Sequence, residues 1–185
     1  REQEFVDRGY CILHIDSSIP GIMKDVDQKK VQQVVTARRK ALEKFQNYTM
    51  ANLGQWSIVA IPNPEWALKV FPQEQPDTAV EKLWDAILAS VRIQDQQDPI
   101  PLWEKHNRQL SERNDWLNRQ RFAALHFKNQ KGTDLIVELA EGHLWEGGCE
   151  KSQSGVVFNP NMPTEENFTM PKRTGVRGKV QATKP

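Results

Sequence analysis

Cysteine is scarce in this chain. Only two occur in 185 residues, Cys11 and Cys149, which excludes a disulfide framework and favours a reduced, cytoplasmic setting. No run of ~18 apolar residues exists, so no membrane-spanning helix is expected. Charge of one sign is missing too. Lys and Arg number 25 against 24 Asp and Glu, a net charge of +1, which gives no bias toward nucleic acid or an acidic surface. The phosphate-cradling Walker and GxGxxG loops and the zinc-binding HExxH helix are all absent. There is no internal repeat, low-complexity linker or signal-peptide pattern. The chain starts at Arg1 and closes on "KVQATKP", which reads as a strand that should continue. A piece of a longer protein is expected at both ends.

The residues present are 38% hydrophobic and 26% charged, ordinary for a soluble domain. "GYCILHI" (9–15) reads as a strand buried on both faces, as in a parallel sheet, with Cys11 inside it. A helix is predicted from Asp27 to Phe45, with Val31, Val34, Val35, Ala41, Leu42 and Phe45 on one side, a stripe that Arg38 interrupts while its stem still covers apolar surface. Lys29, Lys30, Arg39, Lys40 and Lys44 fall mostly on the other, more simply a solvated face than a basic patch. "QWSIVAIP" (55–62) is the next strand, completing a βαβ unit. "NPEWALKVF" (63–71) predicts a short helix with an early proline. Residues 76–91 predict the clearest helix, with Thr78 and Glu81 at capping-box spacing.

Residues 98–122 predict a very polar helix with a narrow stripe of Trp103, His106, Leu110 and Leu117. After it the pattern changes. Residues 123–142 read as a hairpin turning at "NQKG", and "SGVVF" (154–158) and "RGKVQAT" (177–183) as further strands. The expected fold class is α/β. An N-terminal α/β domain with a mostly parallel sheet and flanking helices (1–121) precedes the start of a β-rich domain (122–185).

Candidate chemistry is sparse. Cys149 in "EGGCEK" has no His–Asp pair beside it in sequence, though one could approach in the fold, so a nucleophilic role is the less economical reading. His106 in a helical seam, His14 and His126 in strands, and His143 in "GHLWEGG" each read more simply as structural than as ligands. Asp16, Ser17, Ser18 and Asn63 fall at carboxyl ends of strands, where open α/β sheets bind small molecules. That hint is weak.

"NPNMPTEENFTMPKR" (159–173) is the segment of most interest. Thr164-Glu165-Glu166 suits a helix start, but Pro171 follows too soon for more than about one turn. An extended or looped segment fits better. Neighbouring side chains then point to opposite faces, so one glutamate faces a cleft while the other meets neighbours or solvent. Adjacent carboxylates also do not converge as a glycosidase pair must, ~5 Å or more apart across a substrate. The run after Asn167 holds no acid while Lys172, Arg173, Arg177, Lys179 and Lys184 are basic. With no aromatic beyond Phe168 to stack on, a positive rim beside a carboxylate site is preferred to a nucleic-acid contact.

"FNPNMPTEENFTMPKRTGVRGKVQATKP" resembles the signature region of the thermophilic metalloaminopeptidase family, the aminopeptidase T and S type. "WSIVAIPNPEWALKVFP", "LWEKHNRQLSERNDWLNRQRFAALHF", "GTDLIVELAEGHLWEGG" and "SGVVFNPNMPTEE" resemble it in the same order. The likeness covers nearly all of the chain. It implies a hydrolase that releases N-terminal residues from peptides with two divalent cations (cobalt, zinc or magnesium), as a homodimer; the residues themselves lead one to expect no nucleic-acid or membrane partner. It also implies that one glutamate of the doublet is a metal ligand, with Glu166 favoured over Glu165. Asn167 and Met170 stand where the resemblance leads one to expect Val and a small residue. The other ligands and the catalytic groups are expected outside this chain. These 185 residues alone are then expected neither to hold the metal pair tightly nor to cleave peptides. A non-catalytic α/β binding or assembly module is the alternative.

Overall fold

The computed structural model describes residues 2–94 and 97–182. The order of elements is α1 (Glu2–Val6), β1 (Ile12–Asp16), α2 (Gln28–Ala41), α3 (Glu43–Met50), β2 (Trp56–Ala60), α4 (Pro64–Val70), α5 (Pro76–Ser90) and α6 (Pro99–Gln120). There follow β3 (Ala124–Lys128), β4 (Asp134–Leu139), β5 (Glu150–Lys151), β6 (Val157–Phe158), β7 (Asn161–Met162) and β8 (Pro171–Lys179). The mixed α/β class expected from the sequence holds, with a parallel sheet and helices. The chain divides into two compact units. One comprises 1–103 and 149–164, the other 104–148 and 165–185.

The first unit is built on a three-stranded parallel sheet ordered β1-β2-β7. β1 is an edge strand, and that corrects one expectation. Leu13 and Ile15 stay exposed, and Cys11 lies just before the strand, also exposed, rather than buried in it. The first long helix likewise breaks earlier than its apolar spacing predicts. Leu42 leaves helical geometry at φ −109°, ψ 20°, dividing α2 from α3. Asp27 caps α2 by accepting from the Lys29 amide at 2.9 Å, and Val34 and Val35 on its apolar side are exposed.

The core lies between α4 and α5, where Ala67, Ala79 and Leu83 are buried against Trp66, Leu68, Phe71, Val80 and Ile87. Two alanines at the crossing let the helices approach closely. Burial of Leu83 adds about 1.5–3 kcal/mol. The Thr78–Glu81 capping box does not form, because α5 starts earlier, with Gln75 at the cap and Pro76 at the first helical position. Its fixed φ and missing N–H suit that place. Trp103 ends this unit, buried, donating Nε1–H to the Val91 carbonyl at 2.8 Å.

Segment 149–164 belongs to this unit through backbone pairing. β7 lies parallel to β2, with Ile58 opposite Asn161 and Val59 opposite Met162. The preceding "SGVVF" pairs only at Val157–Phe158, against Glu150–Lys151. Buried Ser152 accepts from Gln55 Nε2 at 2.9 Å and the Val156 amide at 3.1 Å.

In the second unit, β3 and β4 form the hairpin the sequence predicts. Asn129 Oδ1 accepts from the Lys131 and Thr133 amides, and Gly132 takes φ +100°, a value that only glycine adopts freely. The last strand is offset from its expected span of 177–183. β8 starts at Pro171, ends at Lys179 and pairs antiparallel with β4; Thr183 lies outside the described residues.

Candidate carboxylate site on the helix α6 face

The polar helix α6 explains where Glu165 and Glu166 sit. His106, Leu110, Asn114 and Asn118 recur every four residues, so they form one line along the helix. Leu110 is buried and the other three are half-buried. The line serves as a mount for backbone rather than as an apolar seam. Asn118 donates to the Trp145 carbonyl at 3.0 Å and accepts from its amide at 2.8 Å. Asn114 donates to the Gly147 carbonyl at 3.0 Å. Segment 145–147 is thereby fixed. It holds the next segment in turn, since Glu146 and Phe168 exchange both backbone hydrogen bonds, at 2.9 and 2.8 Å.

No helix forms at Thr164–Glu166, in line with the early Pro171. Residues 165 and 167 both reach the α6 line. His106 Nε2 lies 3.6 Å from Glu165 Oε2. Asn167 Nδ2 donates to the Leu110 carbonyl at 2.9 Å and to Asn114 Oδ1 at 2.6 Å. The match is geometric. Two extended residues advance about 6.6 Å, and four helical residues about 6 Å, so alternate side chains of one meet successive turns of the other. Glu166, between them, makes no hydrogen bond or ion pair to α6 among the described residues. Its carboxylate is exposed and accepts from the Glu165 amide at 3.2 Å.

Gly147 makes this close approach feasible. Its φ is +149°, and a Cβ there would overlap the Glu166 carbonyl oxygen and lie 3.0 Å from Asn167 Cα. The adjacent Gly148 packs on Leu110, at 3.2 Å from a built Cβ to the Leu110 Cβ. The glycine pair Gly147–Gly148 is therefore the seat of the Glu166–Asn167 backbone on the α6 face. Asn114, Asn118 and Asn167 were missed by reasoning on the sequence. The signal available was the i, i+4 asparagine pair on a helix too polar to be a core element.

The remaining candidates separate. His126 pairs with Asp134 at 2.7 Å across the hairpin, and this hydrogen bond holds the Asp134 carboxyl below its ordinary value. His143 donates Nδ1–H to the Ala140 carbonyl at 2.9 Å. Asn63 caps α4 through the Trp66 amide and donates to the Ser17 carbonyl at 2.8 Å. Asp16 accepts from the Ser18 hydroxyl and amide, which lowers its pKa. The polar groups at those strand ends thus satisfy one another. Cys149 is an exposed free thiol.

Whether the doublet fits a metal is a question of donor number. Exposed carboxylates suit hard or borderline divalent cations. Among the described residues, however, no three His, Cys, Asp or Glu side chains come close enough together to hold one. The chain therefore offers a fitting donor but not a complete site. No helix among the described residues is long and apolar enough to cross a membrane.

Comparison with known proteins agrees over the whole length. Aminopeptidase 2 of Geobacillus stearothermophilus is 42% identical over 183 residues, 99% of this chain and 44% of that protein. Aminopeptidase T of Thermus thermophilus is 43% identical over 177 residues, 96% of this chain and 43% of its own length. A solved structure described as wild-type AmpT from Thermus thermophilus superposes with a TM-score of 0.87 at 39% identity. It covers all of this chain and 44% of its own. The chain thus spans less than half the length of these relatives. The model of the thermophilic metalloprotease (M29) family matches residues 1–185, and the chain belongs to that family.

Proposed function

We propose that the protein is a metal-dependent aminopeptidase that releases N-terminal residues from peptides, and that this chain supplies one ligand of a two-cation centre. The observation that carries the reading is the presentation of Glu166. Its neighbours on both sides reach the α6 line while its own carboxylate is exposed and bonds only to the Glu165 amide among the described residues. Glu166 is the ligand, and Glu165 is the outer carboxylate oriented by His106. The divalent ions (cobalt, zinc or magnesium) polarise the scissile carbonyl and acidify a water when bound. This chain's residues do the positioning. Asn114, Asn118 and Asn167 lock two backbone segments to α6, and Gly147 lets them touch. Such a mount restricts the Glu166 carboxylate before any ion arrives, and preorganised donors bind more tightly.

The same proposal places the remaining ligands in the part of the relatives' length that these 185 residues do not span. It divides the chain into part of an N-terminal α/β domain (1–121) and the opening of a β-rich catalytic domain (122–185). It takes the whole protein to be a cytoplasmic homodimer. The test is hydrolysis of an N-terminal leucine amide by the intact protein, with and without a chelator. Glu166→Gln is expected to lower kcat/KM by at least ~100-fold and weaken metal binding in calorimetry, and Glu165→Gln to do less. Activity that survives both chelation and Glu166→Gln refutes the reading. A non-catalytic assembly module would bind partners with no hydrolysis under any metal.

A further inference from the structure

The second unit holds a concavity of about 970 Å³ beside the start of β8. Four cations line it, Arg121, Lys172, Arg173 and Arg177, against two carboxylates, Glu138 and Glu141. An irregularity in the strand pairing shapes it. From Val137 to Leu139, β4 advances two residues, while its partner runs from Val176 back to Pro171, five residues. β8 therefore bows outward over Glu138. Gly175 makes room for that, since a Cβ there would come 2.5 Å from Glu138 Cβ. Bulges of this kind re-aim side chains and cluster beside functional sites.

The charges within the concavity are unequally committed. Glu138 takes both Lys172, at 3.4 Å, and Arg177, at 2.5 Å. Arg121 and Arg173 have no ion-pair partner among the described residues. Two guanidinium groups therefore line one concavity with their charge uncompensated by Glu138. A polyanion is disfavoured there because two acids share the lining. A single carboxylate suits the guanidinium fork, which can hold both its oxygens.

We propose that the bowed stretch of β8 and Arg121 form a subsite for a peptide carboxylate lying on the C-terminal side of the bond cleaved. This rests on the aminopeptidase reading. Chain reach supports it. Seven residues separate Glu166 from Arg173, so their Cα atoms are no more than about 25 Å apart. A peptide at the doublet places a carboxylate within reach of Arg173 if that group lies up to about seven residues along an extended chain. The subsite therefore selects short peptides through their terminal carboxylate, or longer ones through an acidic side chain.

The test uses the intact protein and matched peptides, Leu-Ala-Ala-Ala as acid and as amide. A second pair of amides carries Asp or Asn at the third position. At low salt the charged member is expected to show a KM about fivefold lower at similar kcat, the size of one exposed ion pair. The ratio falls toward one in 0.5 M KCl as screening sets in. R173Q, or R121Q as a second variant, collapses it, while K131Q on the hairpin turn does not. Discrimination in the first pair alone identifies the terminal carboxylate, and in the second alone the side chain. Equal KM values within both pairs, or a ratio untouched by R173Q and R121Q, overturn the subsite while leaving the aminopeptidase reading intact. If no peptide is cleaved, the aminopeptidase reading falls instead. The subsite is then decided by calorimetry with N-acetylated tetrapeptides. About fivefold tighter binding of the acid sustains it, and equal binding refutes it.

Discussion

Replacing Gly147 by alanine measures how tightly the Glu166 backbone is seated. The new Cβ would overlap the Glu166 carbonyl oxygen and lie 3.0 Å from Asn167 Cα. Ordinary carbon contacts are about 3.5–4 Å, so Asn167 Cα must retreat by roughly 0.5–1 Å and the overlapping Glu166 carbonyl by more. Overpacking of this kind costs about 1–3 kcal/mol, and the left-handed backbone adds about 1–2 kcal/mol for any residue with a Cβ. Gly142 provides the control. Its φ is +71°, and nothing lies within 4 Å of a built Cβ, so Gly142→Ala carries only the backbone term. Urea unfolding followed by tryptophan fluorescence is the assay, with midpoints compared at unchanged slope. G147A is expected to be less stable than G142A by about 1–3 kcal/mol. A second effect follows in the intact protein. With Glu166 as the proposed ligand, metal affinity is expected to fall in G147A and not in G142A, because ligand sets tolerate only about 0.5 Å of misplacement. Equal destabilisation of the two variants, or a G147A protein with unchanged metal affinity, would refute the argument that close backbone contact positions Glu166.

Asn167→Val installs the residue expected from the family resemblance, yet it removes the hydrogen bonds to the Leu110 carbonyl and Asn114 Oδ1. Stability is expected to fall by about 1–2 kcal/mol in urea unfolding; a neutral result would show that the α6 mount does not depend on this side chain. The Glu138 carboxyl is held below its ordinary value of 4.5, first by the hydrogen bond from Arg177 and then by Lys172. Its stabilisation is therefore fully present above pH 4.5 and is lost as pH falls through the lower native value. Glu138→Gln should flatten the acid limb of a stability–pH curve below 4.5, and an unchanged limb counts against the ion pairs.

The sequence by itself determined the elements whose causes are local. Apolar spacing placed α5, the early proline with Asn63 in front placed α4, and "NQKG" placed the β3–β4 turn. The lack of room before Pro171 kept Glu165 and Glu166 out of a helix, and the motif order carried the family. Tertiary structure alone decided what depends on distant partners. A two-residue strand such as β7 has no pattern of its own, and only β2 defines it. Whether β1 is buried depends on its place in the sheet, which puts it at an edge. The doublet is the sharpest case. Alternation says that its two carboxylates diverge but does not say which one faces which way. That choice came from His106 and Asn167's helical partners, 59 and 53 residues away in the chain, because hydrogen bonds to a helix face select orientation only once the helix and the strand lie side by side.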